Sequence, residues 1–303
     1  MKNLTFRNIS NLEEAEKAWK SLSPNKVLYD DWDFRYTYYK YFNYPLNFIA
    51  GYDQGELVGL LPLMWDPTKG CYDFFAGFGY MEDNAIFYKP GYEETIPQFL
   101  EQLEGPAVLE YMRPDMGSLA QTTIHDYNYY IELAGMTNYS DFVTKYLDGD
   151  SRRNLNSQIR KLTENNTVEV SYDNVEDLKV LEYWNKIRFG NTSSFNERPH
   201  WDEFFSEIAT KYPSKIITVT LNGEKQGVGF VLFYKNICYG INTGYNPEVK
   251  NLGKYITLLK IDAAIKERMK IYDAGGSGAF GWKTDFNLLK KPQYLRDTRS
   301  DQA

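Results

Sequence analysis

A short motif that recurs at one fixed interval constrains this chain more than any other feature. Gly55-Glu56-x-x-Gly59 and Gly223-Glu224-x-x-Gly227 stand 168 residues apart at each fixed position. Each lies at a turn between apolar runs. Asp53-Gln54-Gly55 separates strands predicted over 46–52 and 56–64, and Asn222-Gly223 separates strands predicted over 216–221 and 225–234. Asn-Gly in such a setting is the strongest short-range hairpin signal. Repetition over that interval points to two copies of one domain, the alternative being that Gly-Glu is simply common after hairpin turns. A length of 303 residues with 43% hydrophobic content accommodates two domains of ordinary size.

The segments around the hairpins fill in the two halves. In the first, helices are predicted over 11–22, with Leu12, Ala15, Ala18, Trp19 and Leu22 at helical spacing, and over 33–41. Strands follow over 71–78 and 84–88, then a helix over 93–103 and a buried strand over 107–112. Pro62 marks an edge or a bulge. In the second half, Asp150 or Ser151 can cap a helix whose apolar face is Leu155, Ile159 and Leu162. Arg152, Asn156 and Arg160 share one side of it, and Arg153, Ser157 and Lys161 another. This is either a solvated basic face or a wall that steers an acidic ligand. A helix over 177–189 carries Trp184 and Arg188 and leads into a polar loop, 190–199, suited to a lid.

Downstream, the strand over 237–245 turns at Asn246-Pro247 through Lys250-Asn251-Leu252-Gly253-Lys254 into a helix predicted over 255–269. A short strand with Tyr272 and Asp273, a glycine-rich turn and Trp282-Lys283 follow. Strand, glycine-bearing turn and helix can offer bare backbone N–H groups to an anion, so a phosphate-bearing donor is the first expectation. A single glycine before a helix is otherwise a plain turn.

Composition narrows the chemistry. A net charge of −7 argues against a surface built wholly to grip nucleic acid, while leaving room for a local basic patch. Cys71 and Cys238 sit in apolar strand-like surroundings without disulfide or zinc spacing, so they read as buried thiols of a reducing compartment. His125 and His200 stand apart from any metal or triad pattern, and neither chemistry is expected. The first seven residues lack the apolar core of a signal peptide and no apolar run reaches bilayer length, so a cytoplasmic soluble protein is expected. The 26 tyrosines suit strands that bury area while lining a cleft.

Taken in order, SRRNLNSQIRKL, WNKIRF, the Asn222-Gly223 hairpin, TGYNPEVKNLGKYITLLKIDAAIKE and YDAGGSGAFGWKTDF make 151–286 resemble the GNAT-superfamily N-acyltransferases of the CelD-like acetyltransferase group. That group is related to the Fem aminoacyl transferases. The first half, with DDWDF and GELVGLLPL, is similar to the leading domain of the same proteins. The resemblance implies an α+β fold of two tandem GNAT-like domains, each a mixed, mostly antiparallel sheet flanked by helices. Domain 1–147 would lack donor binding, domain 148–291 would hold the donor site, and 292–303 would be a tail. It implies an acyltransferase that moves an acyl group from acyl-CoA to an amine by direct attack, without a metal. The alternatives are transfer from aminoacyl-tRNA, as in the Fem relatives, and a non-catalytic binding module. The acceptor would be a small-molecule, glycan or peptide amine; tRNA enters only under the alternative, and neither DNA nor a membrane span is implied.

Site residues follow from the same resemblance. In GNAT enzymes the fourth strand and the next turn and helix hold the pyrophosphate of coenzyme A, which here implicates Asn242, Gly244, Lys250, Asn251, Gly253 and Lys254. The usual signature is Arg or Gln, two residues, Gly, one residue, then Gly or Ala. This chain reads Lys250-x-x-Gly253-x-Tyr255, and the tyrosine narrows the loop. In the Fem relatives a lysine after an aromatic near the C-terminal end is tied to transfer, and Trp282-Lys283 matches it. Lys283 would then stabilise negative charge on the donor or tetrahedral species, the alternative being an exposed surface lysine. Asp273 reads equally as general base, ammonium anchor or cap of the glycine turn. Tyr245 and Tyr255 are candidates to protonate the leaving group. Arg152, Arg188 and Trp282 complete the set on the substrate side, an arginine fork suiting phosphate or carboxylate. In the first half the counterpart turn, Tyr88-Lys89-Pro90-Gly91-Tyr92, contains a proline that removes a donor N–H.

Overall fold

The computed structural model describes residues 2–77, 81–119, 122–276 and 281–299. The chain divides into two units, Met1–Tyr127 with Lys291–Ala303, and Asn128–Lys290. The division falls at Tyr127/Asn128 instead of 147/148, and the residues expected as a tail are part of the first unit.

The first unit opens with β1 (Thr5–Ile9) and α1 (Leu12–Leu22). Ala15, Ala18, Trp19 and Leu22 are the buried stripe of α1, and the Asn11 side chain caps it, accepting from the Glu14 N–H at 3.0 Å. Asp31 caps α2 (Trp32–Tyr39) in the same way. The hairpin is β2 (Phe48–Asp53) and β3 (Glu56–Leu61); β4 (Leu63–Asp66) pairs with β5 (Cys71–Phe74), and β6 (Phe87–Tyr88) completes an antiparallel sheet in the order β1-β2-β3-β6. Pro62 splits the strand expected over 56–64, because it has no N–H for the ladder. The strand expected over 71–78 stops at Phe74, and its Phe78 lies outside the described residues. A 3₁₀ turn and α3 (Ile96–Leu100) lead to β7 (Val108–Met112). Trp32 stacks on Phe75 at 4.8 Å between ring centres, and Trp19 meets Phe87 edge-on at 4.7 Å. Such pairs contribute about 0.5–1.5 kcal/mol each beyond their buried area, so many of the aromatics are packing residues.

The chain enters the second unit along β8 (Thr123–Glu132) and continues through α4 (Tyr139–Tyr146), α5 (Gly149–Glu164), β9 (Val168–Tyr172), α6 (Leu178–Phe189), α7 (Ser194–Glu197) and α8 (Trp201–Lys211). Then come β10 (Ser214–Leu221), β11 (Glu224–Tyr234), β12 (Ile237–Tyr245), α9 (Leu252–Lys266), β13 (Ile271–Asp273) and α10 (Gly281–Asp285). Finally β14 (Leu289–Asp297) returns to the first unit, where Tyr294 pairs with Met112 of β7. The second unit's sheet has the order β8-β13-β12-β11-β10-β9, and among the described residues its one parallel pair is β12·β13. Three local expectations change. The cap of α5 is Asp148, which accepts from the Ser151 N–H at 2.7 Å, and not Asp150 or Ser151. α9 begins at Leu252, so Gly253 and Lys254 belong to its first turn. The loop expected as a lid carries a 3₁₀ turn and α7.

The two hairpins repeat residue for residue. Gln54 and Gly55 have φ of 50° and 87°, Asn222 and Gly223 have 52° and 86°, the two positive values of a type I′ turn. Ile49↔Leu61 and Gly51↔Gly59 recur as Ile217↔Gly229 and Val219↔Gly227, and a bulge falls at the same step in both. A Cβ on Gly59 would strike Phe99 of α3, and one on Gly227 would stand 2.6 Å from Ile256 of α9. Each copy therefore keeps this glycine bare to seat the helix that follows. The units are tandem versions of one plan, a mostly antiparallel sheet flanked by helices. Among the described residues no helix is long and apolar enough to cross a membrane.

Candidate active site

The parallel pairing of β12 with β13 lasts for Ile237↔Ile271, Cys238↔Tyr272 and Tyr239↔Asp273. There β13 ends, while β12 runs on to Tyr245, so the two strands form a fork beyond Tyr239. On its other side β12 carries one extra residue, because Phe230 pairs with Asn242 and Leu232 with Tyr239. Two buried polar atoms at the fork have no hydrogen-bond partner, Tyr272 Oη and Asn242 Nδ2. Tyr272 Oη lies 2.6 Å from where a Cβ on Gly240 would stand, which places it at the crotch. Buried polar groups are nearly always paired, so both are points at which a ligand's polar atoms fit. Burial holds the Tyr272 phenol well above its ordinary pKa, so it keeps its proton. Asn242 is oriented by its Oδ1, which accepts from Asn185 Nδ2 at 3.2 Å; Asn185 Oδ1 in turn accepts from the buried Ser193 hydroxyl at 2.7 Å.

The other face of β12 meets α9. Lys260 is 5% exposed; its stem crosses Gly229, where a Cβ would come within 3.1 Å of Lys260 Cδ, and its Nζ donates to Thr243 Oγ1 at 2.8 Å. Among the described residues no carboxylate pairs with it. Burial pushes its pKa down to about 8, Cys238 opposing and Lys283 adding to the shift. Sequence reasoning missed Lys260. The signal was there: it falls four residues after Ile256 and four before Ala264, both fully buried, so a lysine interrupts the apolar stripe of α9.

Asp273 and Lys283 hold the turn after β13. Asp273 Oδ1 accepts from the Gly275 N–H at 2.9 Å and from Asn128 Nδ2 at 3.0 Å, the cap geometry. Lys283 is 3% exposed, so the surface reading is corrected; its Nζ donates to Gly275 O at 2.9 Å and Gly276 O at 2.6 Å and lies over the Tyr129 ring. Residues 277–280 of the glycine-rich turn lie outside the described residues. Trp282 packs edge-on against Phe286 in the core beneath. Cys238 is a free thiol whose burial pushes its pKa up, as expected of a packing residue.

A second group gathers at the start of α9. Asn251, at φ 67°, gives this helix no side-chain cap. The Tyr245 ring lies against Gly253, its Oη 2.7 Å from the site of a Cβ there, and the Arg188 guanidinium stacks on Tyr245 at 4.5 Å. Lys254 is tied to Asp285 and Gln158, both at 3.2 Å, and Lys250 is exposed. Other expected members stand elsewhere. The Cβ side of Gly244 is filled by the Leu181 carbonyl of α6. Tyr255 packs in an apolar cluster with Leu162 and Leu252, turned about 140° around α9 from Lys260. Burial raises its phenol pKa. Arg152 lies on α5 with its Nε buried and unpaired. In the first unit the helix at the position of α9 is the five-residue α3, and Lys2 Nζ donates to Gly91 O at 2.8 Å in the turn before it.

Over residues 149–284 the chain matches the family described as acetyltransferase (GNAT) domain. Solved structures resemble nearly its whole length at low identity. FemX has a TM-score of 0.63 at 10% identity, over 98% of each chain. A conserved protein of unknown function from Bacteroides thetaiotaomicron has 0.60 at 13%, over 97% of this chain and 99% of that one. A tandem GNAT protein from the clavulanic acid biosynthesis pathway has 0.54 at 9%, over 97% and 98%. No curated protein matches.

Proposed function

We propose that this acyltransferase, whose residues 149–284 are an acetyltransferase (GNAT) domain, moves an acyl group from acyl-CoA to an amine by direct attack at the β12–β13 fork. The observation that carries the reading is the fork itself, with Tyr272 Oη and Asn242 Nδ2 buried and unpaired beside it. A strand edge released from its neighbour can pair with an extended chain bearing amides, such as the pantetheine arm of coenzyme A. When bound, the thioester supplies an activated acyl carbonyl. The chain's own groups position it: Asn242 Nδ2 and Tyr272 Oη are donors for its oxygens, and Arg188 with the start of α9 offers positive charge to phosphate. Lys283 fixes the glycine turn and adds positive potential where negative charge develops. Asp273, held by Asn128 and Gly275, serves as anchor for an ammonium. Tyr245, layered between Arg188 and Gly253, belongs to binding more than to proton transfer. Holding both reactants in register supplies much of the rate. The acceptor is a primary amine of a small molecule, glycan or peptide.

One observation favours a second reading, aminoacyl transfer from tRNA: the Tyr245 ring against Gly253 narrows the turn in which a pyrophosphate would sit. Thermal-shift titration with coenzyme A and acetyl-CoA, run beside a charged-tRNA assay, separates the two. Coenzyme A at about a hundred times its Kd should stabilise the fold by about 2.7 kcal/mol. No shift, together with transfer from charged tRNA that falls steeply with salt, selects the second reading. Neither response leaves a binding module.

A further inference from the structure

We infer that Lys260 accepts the proton of the attacking amine through the Thr243 hydroxyl, an assignment that rests on the acyl-CoA reading above. An amine attacks only after its ammonium has lost a proton, so something near the fork must take it. The neighbouring groups are otherwise engaged. Asp273 caps the glycine turn, Lys283 donates to two carbonyls, and the Cys238 thiol and Tyr272 phenol are both held in their protonated forms by burial. Among the described residues Lys260 alone combines burial, the lack of a carboxylate partner and a direct bond to a hydroxyl on β12 beyond the fork.

The trough that Gly229 leaves for its stem brings this amine to Thr243, since a side chain at that position would push against the lysine. Charged, Lys260 donates to Thr243 Oγ1; uncharged, it accepts from the same hydroxyl and leaves the oxygen's lone pairs for an incoming N–H. The groups that face it set its proton affinity: Cys238 from β12 raises it, Lys283 from α10 lowers it, and β11 contributes the uncharged Gly229. A value of about 8 leaves a useful fraction neutral near neutral pH. In the step, one ammonium proton passes to Thr243 Oγ as the hydroxyl proton passes to Lys260 Nζ, and the C–N bond forms. The C–S bond then breaks, the thiolate takes the second proton shed by the new amide nitrogen, and Lys260 Nζ passes its own proton to solvent. Lys260 is again neutral.

The test uses acetyl-CoA with two kinds of acceptor: a panel of simple primary amines, which are ammonium ions at neutral pH, and hydroxylamine, which is already uncharged. Lys260→Met and Thr243→Val should each lower kcat with the primary amines by about 100-fold or more while affecting hydroxylamine far less. Both should also abolish the rise in rate near pH 8 expected of the wild type. Equal losses with both acceptor kinds, an unchanged pH profile, or a wild type that acylates hydroxylamine alone would overturn the assignment. Coenzyme A melting shifts are measured on all three proteins. A normal wild-type shift with equal losses condemns Lys260 only, whereas no wild-type shift removes the donor reading and this assignment with it. Should Lys260→Met not fold, Thr243→Val decides.

Discussion

Lys260 ties the stability of this fold to pH, and the sign follows from where the proton is held. Its pKa in the folded chain, about 8, lies below the ordinary lysine value of 10.5. Between the two the unfolded chain binds the extra proton, so stability rises with pH through that window and is lowest beneath it. The unfolding free energy of the wild type minus that of Lys260→Met, from urea melts, should climb by on the order of 3 kcal/mol between about pH 7 and about pH 10. A flat difference would mean that the amine is solvated. Residue types alone gave part of this site. Asp273 was legible as a possible cap because a carboxylate before Gly-Gly has a local N–H to accept. Lys260 was not, because its burial depends on a missing side chain at Gly229, on another strand. Gly244 was assigned to the donor because it neighbours the anion-binding turn in sequence, yet its bareness serves the Leu181 carbonyl of α6.

At the level of elements, the two hairpin turns were legible, whereas the cap of α5, the start of α9 and the strands at the sheet margins were not. Gly55 and Gly223, at φ 87° and 86°, answer to their turns alone. Gly55→Ala and Gly223→Ala should each destabilise by about 1–2 kcal/mol, since a Cβ in the left-handed region costs that much, and the losses should be similar in the two copies. Denaturant titration of the two variants checks it, and a large inequality would argue against equivalent turns. By contrast β9 is a five-residue edge strand that sequence reasoning missed, although Val168, Val170 and Tyr172 alternate with Glu169 and Ser171. β14, with Lys290-Lys291-Pro292 near its start, reads as a polar tail until Tyr294 is seen packing on Gly117 and pairing with Met112.

Across the molecule, the same strand makes the first unit depend on residues from the far end of the sequence. Thr298 Oγ1 accepts from the Ala107 N–H at 2.8 Å, Lys291 pairs with Asp83 at 3.3 Å, and β14 lies along β7. Truncation after Lys290 should therefore lower hydrogen-exchange protection along β7 by about tenfold or more, equivalent to about 1.4 kcal/mol. An unaltered β7 would restore the tail reading. The duplication itself was visible as the 168-residue interval, but the division at Tyr127 was not, since no change in composition marks it and β8 runs straight through.

This arrangement reverses the usual order of maturation during synthesis. Translation normally lets the leading part of a chain settle before the trailing part exists. Here Asn128–Lys290 has all its own strands as soon as they emerge, whereas the part made first must wait, with β7 lacking its neighbour, until β14 leaves the ribosome. A nascent chain paused short of Leu289 would display an unmatched strand margin, the kind of surface on which chaperones and stray polypeptides alight.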